Sequence, residues 1–445
     1  SDISAQDFSL QADTLNEARL PAQWDLQSCI DYALEQNITI RKNRVTAEST
    51  QIDVKTAKAA LFPSLSFSTS QQVVNRPYQE TSSRVSGSEI ISSNSKTSYN
   101  GNYGLNASWT IYNGSKRLKT FKQERLNNQV AELDVATSEN TIKESIAQIY
   151  IQILYAAESV RVNENTLQVS IAQRDRGQEL LNAGSIAKSD FAQLEAQVST
   201  DRYQLVTAQA TLQDYKLQLK QLLELDGENE MNVYLPKLSD ENVLAPLPAK
   251  KDVYVSALAI RPEIEASKLN VEASELGIDI AKSSYFPTIS LSAGIGTNHT
   301  SGSDFTFGEQ VKNGWNNSIG LSVSVPIFNN RQTKSAVQKA KLQRETNMLS
   351  LLDEQKALYK TIESLWLDAN SAQQRYAAAN EKLRSTQISY DLISEQFNLG
   401  MKNTVELLTE KNNLLQAQQE QLQAKYMAIL NTQLLKFYQG DKLTL

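Results

Sequence analysis

Four short stretches alternate apolar and polar residues almost without exception, inside a sequence that otherwise carries helical spacing. In the sharpest, 99–112, Tyr99, Tyr103, Leu105, Ala107, Trp109 and Ile111 fall on one face and Asn100, Asn102, Asn106, Ser108 and Thr110 on the other. A period of two is the signature of a strand with one greasy and one wet surface. A second stretch, 318–327, sets Ile319, Leu321, Val323, Val325 and Ile327 against Ser318, Gly320, Ser322 and Ser324. The other two follow a proline: LFPSLSFSTS, with Leu65 and Phe67, and YFPTISLSAG, with Ile289, Leu291, Ala293 and Ile295. Strands of about ten residues with this pattern and flanking aromatics match membrane-barrel segments with lipid on one side and water on the other.

The rest of the chain is helical by composition and spacing. Only 16 Gly and 9 Pro in 445 residues leave little material for tight turns. No run approaches the roughly 18–20 apolar residues of a membrane-spanning helix, which leaves the barrel as the way to cross. A net charge of −6, without a basic cluster, makes nucleic acid an unexpected partner. Cys29 is the only cysteine and His299 the only histidine, so no zinc cluster, disulfide or His-based triad is expected within the chain. No catalytic, cofactor-binding or metal site is expected. The opening SDISAQDF has no charged-then-apolar leader, consistent with removal or omission of a signal peptide. Cys29 is read as a small apolar residue on a short helix, and His299 as lying in a loop beyond a strand.

The sequence is also written twice. AKAALFPSLSFSTS at 57–70 returns as AKSSYFPTISLSAG at 281–294, and ELLNAGS at 179–185 returns as EQFNLGM at 395–401, which makes Gly184 and Gly400 equivalent. The first repeat, 1–250, holds strands about 64–75 and 99–112, a long helix about 115–182, a return helix about 187–225 and a linker 226–250. The second, 251–445, holds strands about 288–298 and 317–328, a long helix about 331–398, a return helix about 403–438 and a tail. Helices of about 38–62 and 261–285 precede the first strand of each repeat. At 1.5 Å per residue the long helices are rods of about 100 Å, matched by the shorter helices running the other way. The apolar stripe of such a rod needs parallel neighbours in coiled-coil fashion. Four strands cannot close a barrel when the smallest need about eight, so several copies must share one.

This combination resembles the TolC family of outer membrane efflux proteins over nearly the whole chain. The residues that carry the resemblance are the paired Phe62-Pro63 and Phe286-Pro287 turns, the strand-to-helix junctions IYNG at 111–114 and IFNN at 327–330, and the tip turns around Gly184 and Gly400. The resemblance implies a mainly α fold with a membrane β-barrel portion: a homotrimer whose twelve strands form one barrel in outer membrane lipid, continued by a coiled-coil helical tunnel into the periplasm. It implies an exit duct working with a periplasmic adaptor protein and an inner membrane transporter of RND or ABC type. Protein secretion by a type I system, and a non-channel coiled-coil scaffold, are the alternatives.

The resemblance also assigns roles. Pro63, Asn113, Gly114, Pro287 and Asn329 mark barrel-to-helix junctions, and Gly184, Ser185, Gly400 and Met401 the tip turns where an adaptor docks. An acidic ring narrowing the tunnel maps onto Glu406, with Thr409 at its second position and Glu410 one residue on. Three carboxylates about 6 Å apart would repel by roughly 3 kcal/mol per pair at an effective dielectric near 20, favouring bound cations. The local alternative is a capping box, Asn403 at the N-cap and Glu406 three residues later. The resemblance implies that Asp190 bridges to Lys402, the alternative being an acidic residue favoured in a helix's first turn by the macrodipole, and Phe397 replaces the tyrosine of that network. Tyr99, Tyr103, Trp109, Trp315 and Phe328 suit an interfacial aromatic belt, while Trp24 and Trp366 are read as packed on helices. The loops 75–98 and 298–316 are expected at the cell exterior.

Overall fold

A computed structural model describes residues 20–80, 82–86, 88–93, 95–228 and 230–445. The SDISAQDF opening lies outside the described residues. Elements follow in the order α1 (Leu26–Gln36), α2 (Ile38–Ala59), β1 (Ser64–Asn75), β2 (Ser82–Ser86), β3 (Glu89–Ser93), β4 (Thr97–Asn113), α3 (Lys116–Asn182) and α4 (Lys188–Leu222). Then come α5 (Asp240–Val243), α6 (Lys250–Ile260), α7 (Pro262–Lys282), β5 (Thr288–Thr300), α8 (Phe307–Asn313), β6 (Asn316–Ser324), α9 (Gln332–Asn398) and α10 (Thr404–Gln439).

The duplication is visible in element lengths. Helices α3 and α9 are each 67 residues long, α4 and α10 are 35 and 36, and α2 and α7 are 22 and 21. Neither long helix contains proline, and the single glycine, Gly177 in α3, sits in its penultimate turns. At 1.5 Å per residue each spans about 100 Å.

The described chain forms two compact units. One is built from residues up to Val45 with Leu133–Glu265 and Leu352–Leu445, the other from Thr46–Glu132 and Ala266–Leu351. In the first, Cys29, Ile30, Ile146, Tyr150, Ile153 and Ile429 belong to one apolar cluster, and Val253, Ile264, Ile362 and Leu435 to a second. The Cys29 thiol is buried, which pushes its pKa up to about 12. Arg261, 8% exposed, is held by Glu144 and Glu263 and lies over the Tyr438 ring. Burial raises the Glu144 carboxyl, and Arg261 pulls against that rise. The segment after α4 is tied down in the same unit. Trp24 pairs with Val233, Gln373 donates to the carbonyls of Val243 and Ala245, and Tyr376 donates to Asp240.

Several sequence expectations change. Trp24 precedes α1 in an isolated bridge rather than lying on a helix; Trp366 does lie on α9, its indole donating to Pro248 O at 3.0 Å. The strand expected to reach 328 stops at Ser324, because Pro326 lacks the N–H that a ladder needs. The span 75–98 includes the β2–β3 hairpin, and 298–316 includes α8, capped by Thr306 and Glu309 in a reciprocal box. His299 sits in β5, opposite Gly101 of β4, rather than in a loop.

Candidate functional site

Strands β1, β4, β5 and β6 form one antiparallel sheet in that order, all within the second unit. The register aligns like with like. Leu65, Ala107, Ala293 and Ile319 form one row, Phe67, Leu105 and Ile295 the next, and Trp109, Leu291 and Leu321 a third. Between them run Ser64, Ser108, Ser292 and Gly320, and then Ser66, Asn106, Gly294 and Ser318. Side chains alternate faces along a strand, so the sheet is apolar on one side and hydroxyl-, amide- and glycine-lined on the other. The polar rows bond across strands, as in Ser64 to Ser108 at 2.8 Å and Thr300 to Asn100 at 2.6 Å. No Asp, Glu, Lys or Arg occurs in any of these four strands.

The apolar face is left open. Leu65 is 69% exposed, Phe67 65%, Ile319 79% and Leu321 65%, so this chain does not cover them. The outer edges of β1 and β6 are also unpaired among the described residues. At one end of the apolar face Tyr99, Tyr103, His299 and Phe307 cluster, with the His299 ring 5.3, 5.7 and 4.9 Å from the other three in turn. At the other end Trp109 donates to Leu61 O at 2.9 Å. Trp315 donates to Asn317 at 3.1 Å and Phe328 is exposed.

The junctions follow from backbone chemistry. Pro63 and Pro287 immediately precede β1 and β5, where a missing N–H is tolerated, and Phe286 before the second is extended as proline requires. On leaving the sheet, Gly114 and Ser115 adopt φ of 68° and 62°, and the equivalent Asn330 and Arg331 adopt 52° and 67°. Asn113 accepts from the Arg117 N–H at 3.5 Å, and Asn329 donates to Thr333 at 2.5 Å. A Cβ on Gly114 would lie 2.7 Å from Ser283 O, so glycine is required there on two counts.

The tip turns, in the first unit, repeat each other closely. Gly184 and Gly400 take φ of 71° and 75°. Ser185 N–H bonds Leu180 O and Gly184 N–H bonds Leu181 O, while Met401 bonds Gln396 and Gly400 bonds Phe397 in the same way. Both are Schellman closures of a long helix. At the start of α10, Asn403 accepts from Glu406 N–H at 2.9 Å and Glu406 accepts from Asn403 N–H at 3.2 Å, a complete capping box. Lys402 Nζ lies 3.0 Å from Glu406 Oε1. That bond, with the Asn403 N–H, holds the Glu406 carboxyl below its ordinary range, so it is ionised at neutral pH.

The expected Asp190–Lys402 bridge is not among the ion pairs of the described residues. Lys402 is satisfied one helical turn away by Glu406, and Asp190 turns back to the Ala187 N–H at 3.4 Å. Thr409 donates to Val405 O at 2.7 Å and Glu410 accepts from Asn413 at 3.2 Å, so each has a local partner. Phe397 is buried.

One buried constellation is absent from the sequence reading. Lys411 of α10 donates to Asp201 of α4 and to Ser170 of α3, and Ser170 donates to Asp201. A signal for it exists: Asp201 continues the buried series Leu194, Val198, and Lys411 falls between buried Leu407 and Leu414. A charge on the apolar stripe at helical spacing marks a buried polar contact.

The family model for outer membrane efflux proteins matches residues 29–224 and 253–440. Over 294 residues the chain is 26% identical to the outer membrane efflux protein BepC of Brucella suis, covering 66% of this chain and 61% of that protein. Over 340 residues it is 24% identical to the outer membrane protein TolC of Escherichia coli, covering 74% of this chain and 66% of that one. The matches thus span just under two thirds of each relative's length. A crystal structure of CusC shares the fold, with a TM-score of 0.80, 96% of both chains covered and 19% identity. With the family model matched across both repeats, this chain belongs to the outer membrane efflux protein family.

Proposed function

We propose that this chain is one subunit of an outer membrane exit duct that passes small molecules outward from a periplasmic adaptor and an inner membrane pump. The observation that carries the reading is the sheet: two-faced, free of charged side chains, exposed on its apolar side and open at both edges. Unpaired strand edges in hydrocarbon cost several kcal/mol for each orphaned group. Three copies would pool twelve strands, close the ring and turn the apolar rows to lipid, leaving the Ser, Asn and Gly rows around water. The likeness to BepC, an efflux protein by name, supports an efflux role for the duct. A coiled-coil scaffold gives no account of an uncovered apolar sheet.

In this reading the tip is the narrow end. Glu406, ionised and on the first turn of α10, is the candidate for a ring of carboxylates, with Glu410 one turn further on. Gly184, Ser185, Gly400 and Met401 form the surface offered to an adaptor. Opening is a shift in population between a tip in which these helix starts converge and one in which they spread. The test is ion conductance of the purified protein in a planar lipid bilayer. Stepwise, cation-sensitive conductance that rises in Glu406→Ala supports the reading, and silence of both the wild-type protein and Glu406→Ala would refute it.

A further inference from the structure

Lys411, Asp201 and Ser170 are 3%, 2% and 2% exposed, and they belong to three different helices. Asp201 is fully served: it accepts from Lys411, from Ser170 and from Gln197, the last at 2.9 Å. A neighbouring bond widens the tie to all four long helices, since Gln173 of α3 donates to Tyr390 of α9 at 2.7 Å. Around the charges lie Leu167, Leu194, Val198, Leu407 and Leu414, all buried.

Taking two charges out of water largely offsets their attraction, so such a pair adds little to stability over an apolar pair of the same volume. What it supplies is register. If α10 slid or turned against α3 and α4, Lys411 and Asp201 would each face apolar side chains unpaired, a far worse state than the paired one. The contact is also unique to one half of the duplication. Through the Gly184–Gly400 equivalence, Lys411 corresponds to Glu195 and Asp201 to Ala417, one exposed and the other uncharged. Helix α10 is therefore tied to α3 and α4 by a contact that has no counterpart when the two halves are exchanged.

Resting on the duct reading above, we propose that the Lys411–Asp201–Ser170 node is a positioning lock: it fixes α10 against α3 and α4, and thereby holds Glu406, five residues before Lys411, in the closed tip. These are positioning residues, acting on the tip through the helix they anchor. The tip capping box and the Lys402–Glu406 pair are exposed and local, whereas the node joins helices from both repeats.

The test pairs bilayer conductance with thermal stability of the detergent-purified assembly. In Lys411→Met/Asp201→Leu the charges are replaced by apolar groups of similar volume, so the assembly should melt close to wild type while the open-time fraction rises at least about five-fold, the scale of a typical coupling between sites. The swapped variant Lys411→Asp/Asp201→Lys restores opposite charges and should return conductance toward wild type. Wild-type conductance in the apolar double variant would overturn the lock, and so would loss of assembly in it, which would make the node a folding element only. Silence of wild type and Glu406→Ala alike would remove the duct reading and the lock with it.

Discussion

Glu406 is held by two contacts of different reach. The Asn403 box is satisfied within one turn, whereas Lys402 supplies a surface ion pair of the kind worth little to stability. Both depress the carboxyl's pKa, so its charge is present at neutral pH and is lost only when pH falls through a value below the usual ~4.3. Cation block of the conductance should accordingly persist at pH 5 and fade only below the ordinary carboxylate range, and Glu406→Gln should abolish it at every pH. Titration of the block against pH checks this; block that disappears near pH 6 would point to another group. The glycines give a second residue-scale test. A Cβ at Gly184 or Gly400 meets nothing, so Ala there should cost only the left-handed backbone penalty of about 1–2 kcal/mol. Gly114→Ala adds an encounter with Ser283 O and should cost more, as read by denaturant unfolding of the three variants side by side. Cys29, buried and with its thiol raised to about 12, should resist alkylation at pH 8 until the chain is unfolded.

Among elements, the strands were the most legible because a side-chain period of two leaves a mark that composition does not hide. Their pairing adds what a linear reading lacks: β4 beside β5 joins the two repeats, and the apolar residues align into rows across all four strands. A lysine at Leu321 would put a charge in one such row and should cost about 2–4 kcal/mol if the row faces mid-bilayer, against little effect for lysine at Ser322 on the opposite face. Yields of folded, detergent-extracted protein from the two variants would separate the faces; equal losses would contradict the assignment. The two long helices were legible for a different reason, being free of proline. What escaped was short or polar. Helix α8 carried its Thr306–Glu309 signature inside a loop rich in Ser and Gly, and α6 is preceded by Ala249, an N-cap residue that offers no side-chain cap. The buried node was invisible to any expectation that charges lie outside, although its spacing on the apolar stripes of α4 and α10 marked it. The Asp190–Lys402 bridge came from resemblance rather than from spacing, and among the described residues Lys402 pairs with Glu406 at i+4.

At the scale of the whole molecule, the duct reading makes a single chain incomplete. Among the described residues it exposes a sheet with one oily surface and two unpaired edges, a combination that water disfavours on the first count and hydrocarbon on the second. In the proposed duct, closure with further copies in lipid satisfies both. Direct determination of particle mass, with and without detergent, tests this most simply. The proposal predicts particles of about three times the 49.6 kDa chain mass that stay dispersed only in detergent or lipid; a monodisperse, detergent-free single chain would contradict it.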